Sequence, residues 1–204
     1  MFRFKKEIGR IYRLKVPFEN LYTSVFLIKD TIGNLLIDCA TTARDVDKII
    51  IPALYQIGLS LNDLEQVLLT HKHSDHVGGL ERLLQLKPNL QIVNEMDIIR
   101  VDDISVYPLK GHTLDSIGCL DLQSGTLISG DGFQGAGVGT YRCFLECKEE
   151  YLKTIEKVKS DEKVKNILFS HAYEPWYKDK ALGVEEKLKC LQDCIECTNK
   201  EIKE

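Results

Sequence analysis

No apolar run in this 204-residue chain approaches the ~18 residues of a membrane-spanning helix. The basic start MFRFKKEIGRIYRL is not followed by the hydrophobic region of a signal peptide, so the chain is expected to be cytoplasmic. No block of one charge sign is present: 27 Lys+Arg against 31 Asp+Glu leave a net charge of −4. The basic footprint of a nucleic-acid binder is missing, as is that of an anionic membrane surface, so no nucleic-acid or membrane partner is expected. Internal repeats and Pro-rich linkers are also missing. At ~150 residues per domain the length gives nearer one domain than two, and residues 1–204 are read as a single domain. The seven cysteines are odd in number and irregularly spaced, which argues against a disulfide framework and for free thiols in a reducing compartment. What remains, 44% hydrophobic and 28% charged residues, is an ordinary globular composition.

Short apolar runs alternate with amphipathic stretches. Strands are expected at Ile11–Val16, Thr23–Lys29 and Asn34–Asp38, with a turn at Asp30–Asn34 between the last two. A helix over Ala43–Ile57 contains Pro52. A strand at Gln66–Thr70, a helix at His76–Leu86 and a strand at Leu90–Asn94 follow. One or two strands are expected within Ile98–Lys110, then a hairpin of Ile117–Leu122 and Thr126–Ser129 around Ser124-Gly125. A helix (Cys147–Lys159), a strand (Asn166–Ser170) and a final helix (Val184 to about Asn199) close the series. Strands with helices inserted between them imply an α/β (α+β) architecture, mixed sheets covered by helices.

The chain has five histidines, and three fall within six residues, His71-Lys72-His73-Ser74-Asp75-His76. The others are His112 and His171. His71, His112, Asp131 and His171 each sit just past an apolar, strand-like run. Loops at one edge of a sheet converge, and rigid strands hold them there. In an extended stretch His71 and His73 point the same way. Asp75 and His76 open the next helix and face a second point, and Gly78-Gly79 lets backbone pack closely beside them. Imidazoles and carboxylates suit zinc, iron or manganese. Five imidazoles and two carboxylates exceed what one tetrahedral ion uses, and fit two divalent ions that share a bridging carboxylate and a hydroxide.

At these residues the chain resembles the metallo-β-lactamase-fold superfamily. His71 to His76 is similar to its His-x-His-x-Asp-His signature. Gly111-His112-Thr113, Ser129-Gly130-Asp131 and Ser170-His171 match its later motifs in order, and Leu36-Ile37-Asp38-Cys39-Ala40 looks like its early strand end. The resemblance covers residues 20 to 171 and implies a four-layer αββα sandwich. It implies that His71, His73 and His112 hold one metal, that Asp75, His76 and His171 hold the other, and that Asp131 bridges. Asp38 would orient a ligand from behind.

Aspartate at 131, where the commonest zinc β-lactamases carry cysteine, resembles the thioesterases, lactonases and phosphodiesterases of the family. Only 33 residues follow His171 in this sequence, so the glutathione-binding helical domain of glyoxalase II is expected to be missing. The function implied is a dinuclear, zinc-type hydrolase of a small ester, thioester or lactone, with Asp75 orienting the nucleophile and passing its proton on. The alternatives are a mononuclear iron, persulfide-dioxygenase-like oxidoreductase using His71, His112 and Asp131, and a phosphodiesterase or β-lactam hydrolase of the same fold. Substrate, native metal and oligomeric state are not legible.

Elsewhere, Tyr141, Arg142, Tyr173 and Trp176 lie close in sequence to ligands and are candidate substrate contacts, or ordinary aromatic packing. The Gly-rich loop from Gly130 to Gly139 lacks the Lys-Ser or Lys-Thr of a phosphate-binding loop. On the last helix the apolar stripe is read as Val184, Leu188, Leu191, Ile195 and Ile202. Cys190, Cys194 and Cys197 flank it, either as small apolar residues against the body or as a soft-metal or redox site, the first being preferred. Cys143 and Cys147 get the same reading, and Cys39 and Cys119 are read as core.

Overall fold

A computed structural model describes residues 2–94, 97, 99–134, 144–173 and 177–200. The chain divides into two compact units, Met1–Val106 and Tyr107–Glu204.

The first unit carries a six-stranded sheet in the order β1 (Lys5–Ile8), β2 (Ile11–Phe18), β3 (Leu21–Lys29), β4 (Asn34–Ile37), β5 (Leu64–Leu68), β6 (Gln91–Val93). Strands β1 to β4 form an antiparallel meander. The β3–β4 turn is closed by Asp30, whose Oδ1 accepts from the Thr31 and Ile32 amides at 2.6 and 3.3 Å; an Asp side chain that bonds its own following backbone is a turn former. The continuous apolar run of β4 is buried at every position, as expected of a strand covered on both faces. Strands β4, β5 and β6 are parallel, so each link between them must be a crossover.

The first crossover is not the single helix expected over Ala43–Ile57. It consists of α1 (Ala43–Asp45), a π-helical turn (Val46–Ile50) and α2 (Ile51–Gln56). Pro52 is the physical reason: inside a regular helix its ring would crowd the Lys48 carbonyl and it has no N–H to give. The wider turn, in which the Ile51 amide reaches the Val46 carbonyl, places Pro52 in the first turn of α2, where no N–H is needed. Before β5, Ser60 and Asp63 cap a 3₁₀ turn (Leu61–Asp63) reciprocally. Backbone and side-chain hydrogen bonds from Ser60 hold the Asp63 carboxyl below its ordinary range.

After β5 the expected helix over His76–Leu86 is two helices, α3 (Ser74–Val77) and α4 (Leu80–Leu86), broken at Gly78-Gly79. The loop after β4 lies against that break: the Cys39 amide donates to the His76 carbonyl (2.8 Å) and the Gly79 amide to the Ala40 carbonyl (3.3 Å). A Cβ at position 79 would stand 2.1 Å from the Cys39 carbonyl oxygen, and one at 78 would stand 1.8 Å from that of Thr41. Side chains of the sheet, among them Leu14, Leu27, Leu36 and Val67, pack with Ile50, Leu54 and Leu83 of the helical segments. Each such fully buried side chain contributes ~2 kcal/mol.

The second unit holds most of a five-stranded sheet, ordered β11 (Lys180–Ala181), β10 (Asn166–Leu168), β9 (Thr126–Ile128), β8 (Ile117–Asp121), β7 (Ile104–Pro108). Strands β8 and β9 form the expected hairpin, with Asp121 opposite Thr126. Strands β9 and β10 are parallel, joined through α5 (Lys148–Ser160), and α6 (Gly183–Lys200) follows β11. Because β9 and β10 are parallel neighbours, the loops carrying Asp131 and His171 leave the sheet at the same edge. Leu109, Leu120, Leu127 and Ile167 pack with Tyr151, Ile155 and Leu191 of the helices.

The buried face of α6 differs from the expected stripe. Val184 and Leu188 are 53% and 38% exposed, and the buried row is Lys187, Cys190, Leu191, Cys194 and Thr198. Lys187 is hidden because its Nζ sits 3.3 to 3.5 Å from the Val158, Lys159 and Asp161 carbonyls at the end of α5, where a helix terminus favours a cation. Burial nonetheless pushes its pKa down. Thr198 donates to the Cys194 carbonyl at 2.7 Å. Cys39 and Cys119 are core, as read from the sequence. No helix among the described residues is long and apolar enough to cross a membrane.

Candidate metal centre

In the first unit, His71 follows β5 and His73 stands directly before the first residue of α3, its side chain making no bond to the helix end. Their side chains meet, with His71 Nε2 3.0 Å from His73 Nδ1, as the two-residue alternation requires. Asp75 and His76, both buried on α3, face one another, with His76 Nε2 3.3 Å from Asp75 Oδ2. Behind them lies Asp38, fully buried at the end of β4. Its Oδ2 accepts from His76 Nδ1 at 2.7 Å, and its Oδ1 accepts from the Thr70 amide at 2.8 Å. The Thr70 hydroxyl donates to Asp38 Oδ2 at 2.9 Å. That uses its one proton, so at 3.1 Å from His71 Nδ1 it accepts the imidazole N–H. One carboxylate and one hydroxyl thereby place the protons of His71 and His76 on Nδ1, and leave the Nε2 lone pair of each facing outward. Asp38 adopts a left-handed backbone, φ 60°, which aspartate tolerates better than most residues.

In the second unit, His112 follows Gly111, which lies at φ 141° with Tyr151 Cα only 2.5 Å from where a Cβ would stand. The His112 loop is pinned on the start of α5 by the Glu146 and Cys147 amides, which donate to the His112 and Gly111 carbonyls. His112 Nδ1 donates to the Phe144 carbonyl at 2.7 Å, leaving Nε2 as its lone-pair nitrogen. Asp131 follows β9 and His171 follows β10. The two oxygens of Asp131 serve different imidazoles: Oδ1 is 3.3 Å from His171 Nε2 and Oδ2 is 3.8 Å from His112 Nε2.

The donor chemistry and spacing fit metal ions. Two ligands each ~2.1 Å from one tetrahedral cation lie ~3.4 Å apart, and these nitrogen and oxygen atoms stand 3.0 to 3.8 Å apart. Each imidazole whose far nitrogen is bonded to a carboxylate, hydroxyl or carbonyl is held as metal-binding histidines are held. All seven residues singled out in the sequence are thus in ligand-type clusters within their own units. Thr70 and the Phe144 carbonyl were not singled out. A threonine directly before the first histidine at a strand end was the signal for Thr70, whereas a backbone carbonyl has no residue-type signature. The candidate contacts Tyr141, Arg142 and Trp176, together with Cys143, lie outside the described residues. The Tyr173 ring is 5.5 Å from that of His171.

Residues 19–101 match the family model described as the metallo-beta-lactamase superfamily. A metallo-β-lactamase from Pseudomonas aeruginosa, FIM-1, solved in a mono-zinc form, superposes with a TM-score of 0.71 at 14% identity, covering 97% of this chain and 96% of that one. The chain therefore has the metallo-β-lactamase fold that its motifs implied, and residues 19–101 are similar to that superfamily. Among curated proteins, the chain is 30% identical over 150 residues to the uncharacterized protein YobT of Bacillus subtilis, covering 55% of this chain and 62% of the relative. It is 27% identical over 165 residues to hydroxyacylglutathione hydrolase 2 of Vibrio vulnificus, covering 73% and 64%. The chain spans less than two thirds of the length of these two curated relatives.

Replacing Asp38 tests the support behind His76. Asp38→Ala is expected to weaken metal binding by ~10–100-fold, the usual effect of losing such a partner, read by competition with a chromogenic chelator. Asp38→Asn, which keeps an acceptor and tolerates the left-handed backbone, should lose less. Equal affinity in wild type and Asp38→Ala would show that Asp38 does not orient a ligand.

Proposed function

We propose that the chain is a metal-dependent hydrolase that uses two divalent cations, zinc first and iron or manganese next, on a small ester, thioester or lactone. The observation that carries this reading is Asp131, which offers one oxygen to His112 and the other to His171, the disposition of a bridging carboxylate. We propose that His71, His73 and His112 hold one ion, that Asp75, His76 and His171 hold the other, and that the two units together form a single catalytic domain. Divalent ions in such a pair lower the pKa of water to about 7 and polarise a substrate carbonyl. Asp75, close beside His76, would orient the attacking oxygen and carry its proton to the leaving group. His71, His76 and His112 would be held in register by Thr70, Asp38 and the Phe144 carbonyl. Likeness to a hydroxyacylglutathione hydrolase favours a thioester among the candidate substrates. A small-molecule substrate and a cytosolic location complete the proposal.

The test is elemental analysis of freshly purified protein together with a panel of thioester, lactone, phosphodiester and β-lactam substrates. Two metals per chain, and turnover of a thioester or lactone that is lost with chelator and restored with zinc, would support the reading. His73→Ala should lower metal content and rate together. No metal-dependent turnover on any panel member would overturn it. One iron per chain with oxygen consumption would replace it by the oxygenase reading.

A further inference from the structure

A second cluster of ligand-type atoms lies within the second unit, among residues outside the proposed catalytic set. Cys190 and Cys194 are one helical turn apart on α6, and both are buried. Each thiol is directed at the same atom, the Gln134 carbonyl oxygen, at 3.2 Å from Cys190 Sγ and 3.7 Å from Cys194 Sγ. Gln134 is itself more than nine-tenths buried, and its side-chain Oε1 has no hydrogen-bond partner. Such a buried polar atom costs stability unless something satisfies it. Cys190, though not Cys194, also lines a surface cleft whose rim bears Lys178, Lys180 and Lys189 beside Glu186 and Asp193.

We propose that Cys190, Cys194 and the Gln134 carbonyl form a binding site for one soft d¹⁰ cation, of the copper(I), cadmium or mercury type. Thiolates select such ions over the harder metals that imidazole and carboxylate prefer. Two side chains at i and i+4 share one helix face, the spacing by which a helix presents a pair of ligands to one ion. The two S–H groups already converge on one oxygen, so a cation entering there takes the place of two protons and keeps the oxygen. For a divalent ion the exchange is M²⁺ + 2 RSH → M(SR)₂ + 2 H⁺, neutral within the site and releasing two protons to solvent. The Cys190 side chain holds the Cys194 thiol below its ordinary pKa, while the Cys194 side chain and burial push the Cys190 thiol well above its own, so Cys194 gives up the first proton and the cation must displace the second. Packing against the body, the reading preferred from the sequence, describes the same thiols without an ion. The convergence on Gln134 is what the sequence did not display.

The experiment is titration of the full, zinc-loaded chain with cadmium ion alone, following the ultraviolet thiolate-to-metal charge-transfer band, to which histidine and aspartate ligands do not contribute. The expected result is a band that saturates near one equivalent, is abolished in Cys190→Ser and in Cys194→Ser, and persists in Cys197→Ser. Circular dichroism checks that each variant is folded, and Cys190→Ala, which keeps Cys194, substitutes for a serine variant that is not. A band unchanged in folded Cys190→Ala, a band lost in Cys197→Ser, or no thiolate band in the wild type would each overturn the proposal. Because the readout sees sulfur ligands alone, it stands whether or not the proposed hydrolase activity is found.

Discussion

Asp131→Ala is expected, under the proposed function, to leave fewer than two ions per chain and to cut hydrolysis by well over ~100-fold. Losing a partner that only supports a ligand already costs ~10–100-fold, and Asp131 supplies oxygens toward two imidazoles at once. Two further variants separate its duties. Asp131→Cys keeps one anionic donor and should retain one ion, because a single sulfur cannot replace two separately directed oxygens. Asp131→Asn keeps the size and one carbonyl oxygen but loses the charge that offsets two dications, so it should bind both ions weakly or one ion well. Metal content by elemental analysis, beside turnover measured at saturating zinc, distinguishes these outcomes. Full occupancy by two ions in Asp131→Ala would show that the carboxylate is not shared.

A large loss of stability is expected at Gly79, and it needs no assumption about activity. A methyl group there would meet the Cys39 carbonyl oxygen at 2.1 Å, and backbone gives way far less readily than a side chain. Overpacking of this kind costs ~1–3 kcal/mol and sometimes more, so Gly79→Ala should lose at least ~3 kcal/mol. For a chain of this size that lowers the melting temperature by about 6–12 °C. The loss propagates to the ligands, because the loop that must retreat is the one whose Cys39 amide bonds the His76 carbonyl and whose Asp38 bonds the His76 ring. Thermal melts of wild type, Gly79→Ala and the exposed-helix control Glu81→Ala would show the difference. A Gly79→Ala melt within a degree of the control would mean that the two backbones can part without penalty.

What was legible in the sequence follows from what was local. The His71–His76 cluster declares itself because four donor side chains within six residues need only one strand end and one helix start to be brought together. Most strands were readable to within about two residues, since β2, β3, β4 and β8 are apolar runs bounded by turn residues. β1 was not, because it is largely an exposed strand of charged residues, Lys5-Lys6-Glu7-Ile8, with no buried face to impose a period. β11, two residues long, is a product of its neighbour rather than of its own composition. The helix over Ala43–Ile57 was right in extent, but the π turn is a negotiation between Pro52 and the crossover that no periodicity records. On α6 the apolar count pointed to Val184 and Leu188. The actual inner row includes Lys187 and Thr198, which can be buried only because carbonyls of α5 and of α6 itself receive their polar ends. Polar groups satisfied by backbone are invisible to hydropathy, and the same blindness hid the Phe144 carbonyl behind His112.

The seven ligand-type side chains are divided four to three between Met1–Val106 and Tyr107–Glu204, and under the proposed function that division has a consequence for biosynthesis. As the polypeptide emerges from the ribosome, the amino-terminal half displays its histidine cluster well before Asp131 and His171 have been translated. A nascent or truncated chain of that length would be a chelator of three imidazoles and one carboxylate without the shared anion, holding any metal loosely and with poor discrimination. Correct metalation is then a late, post-translational event, and an excess of a competing ion should do its greatest harm to newly made protein rather than to the mature pool.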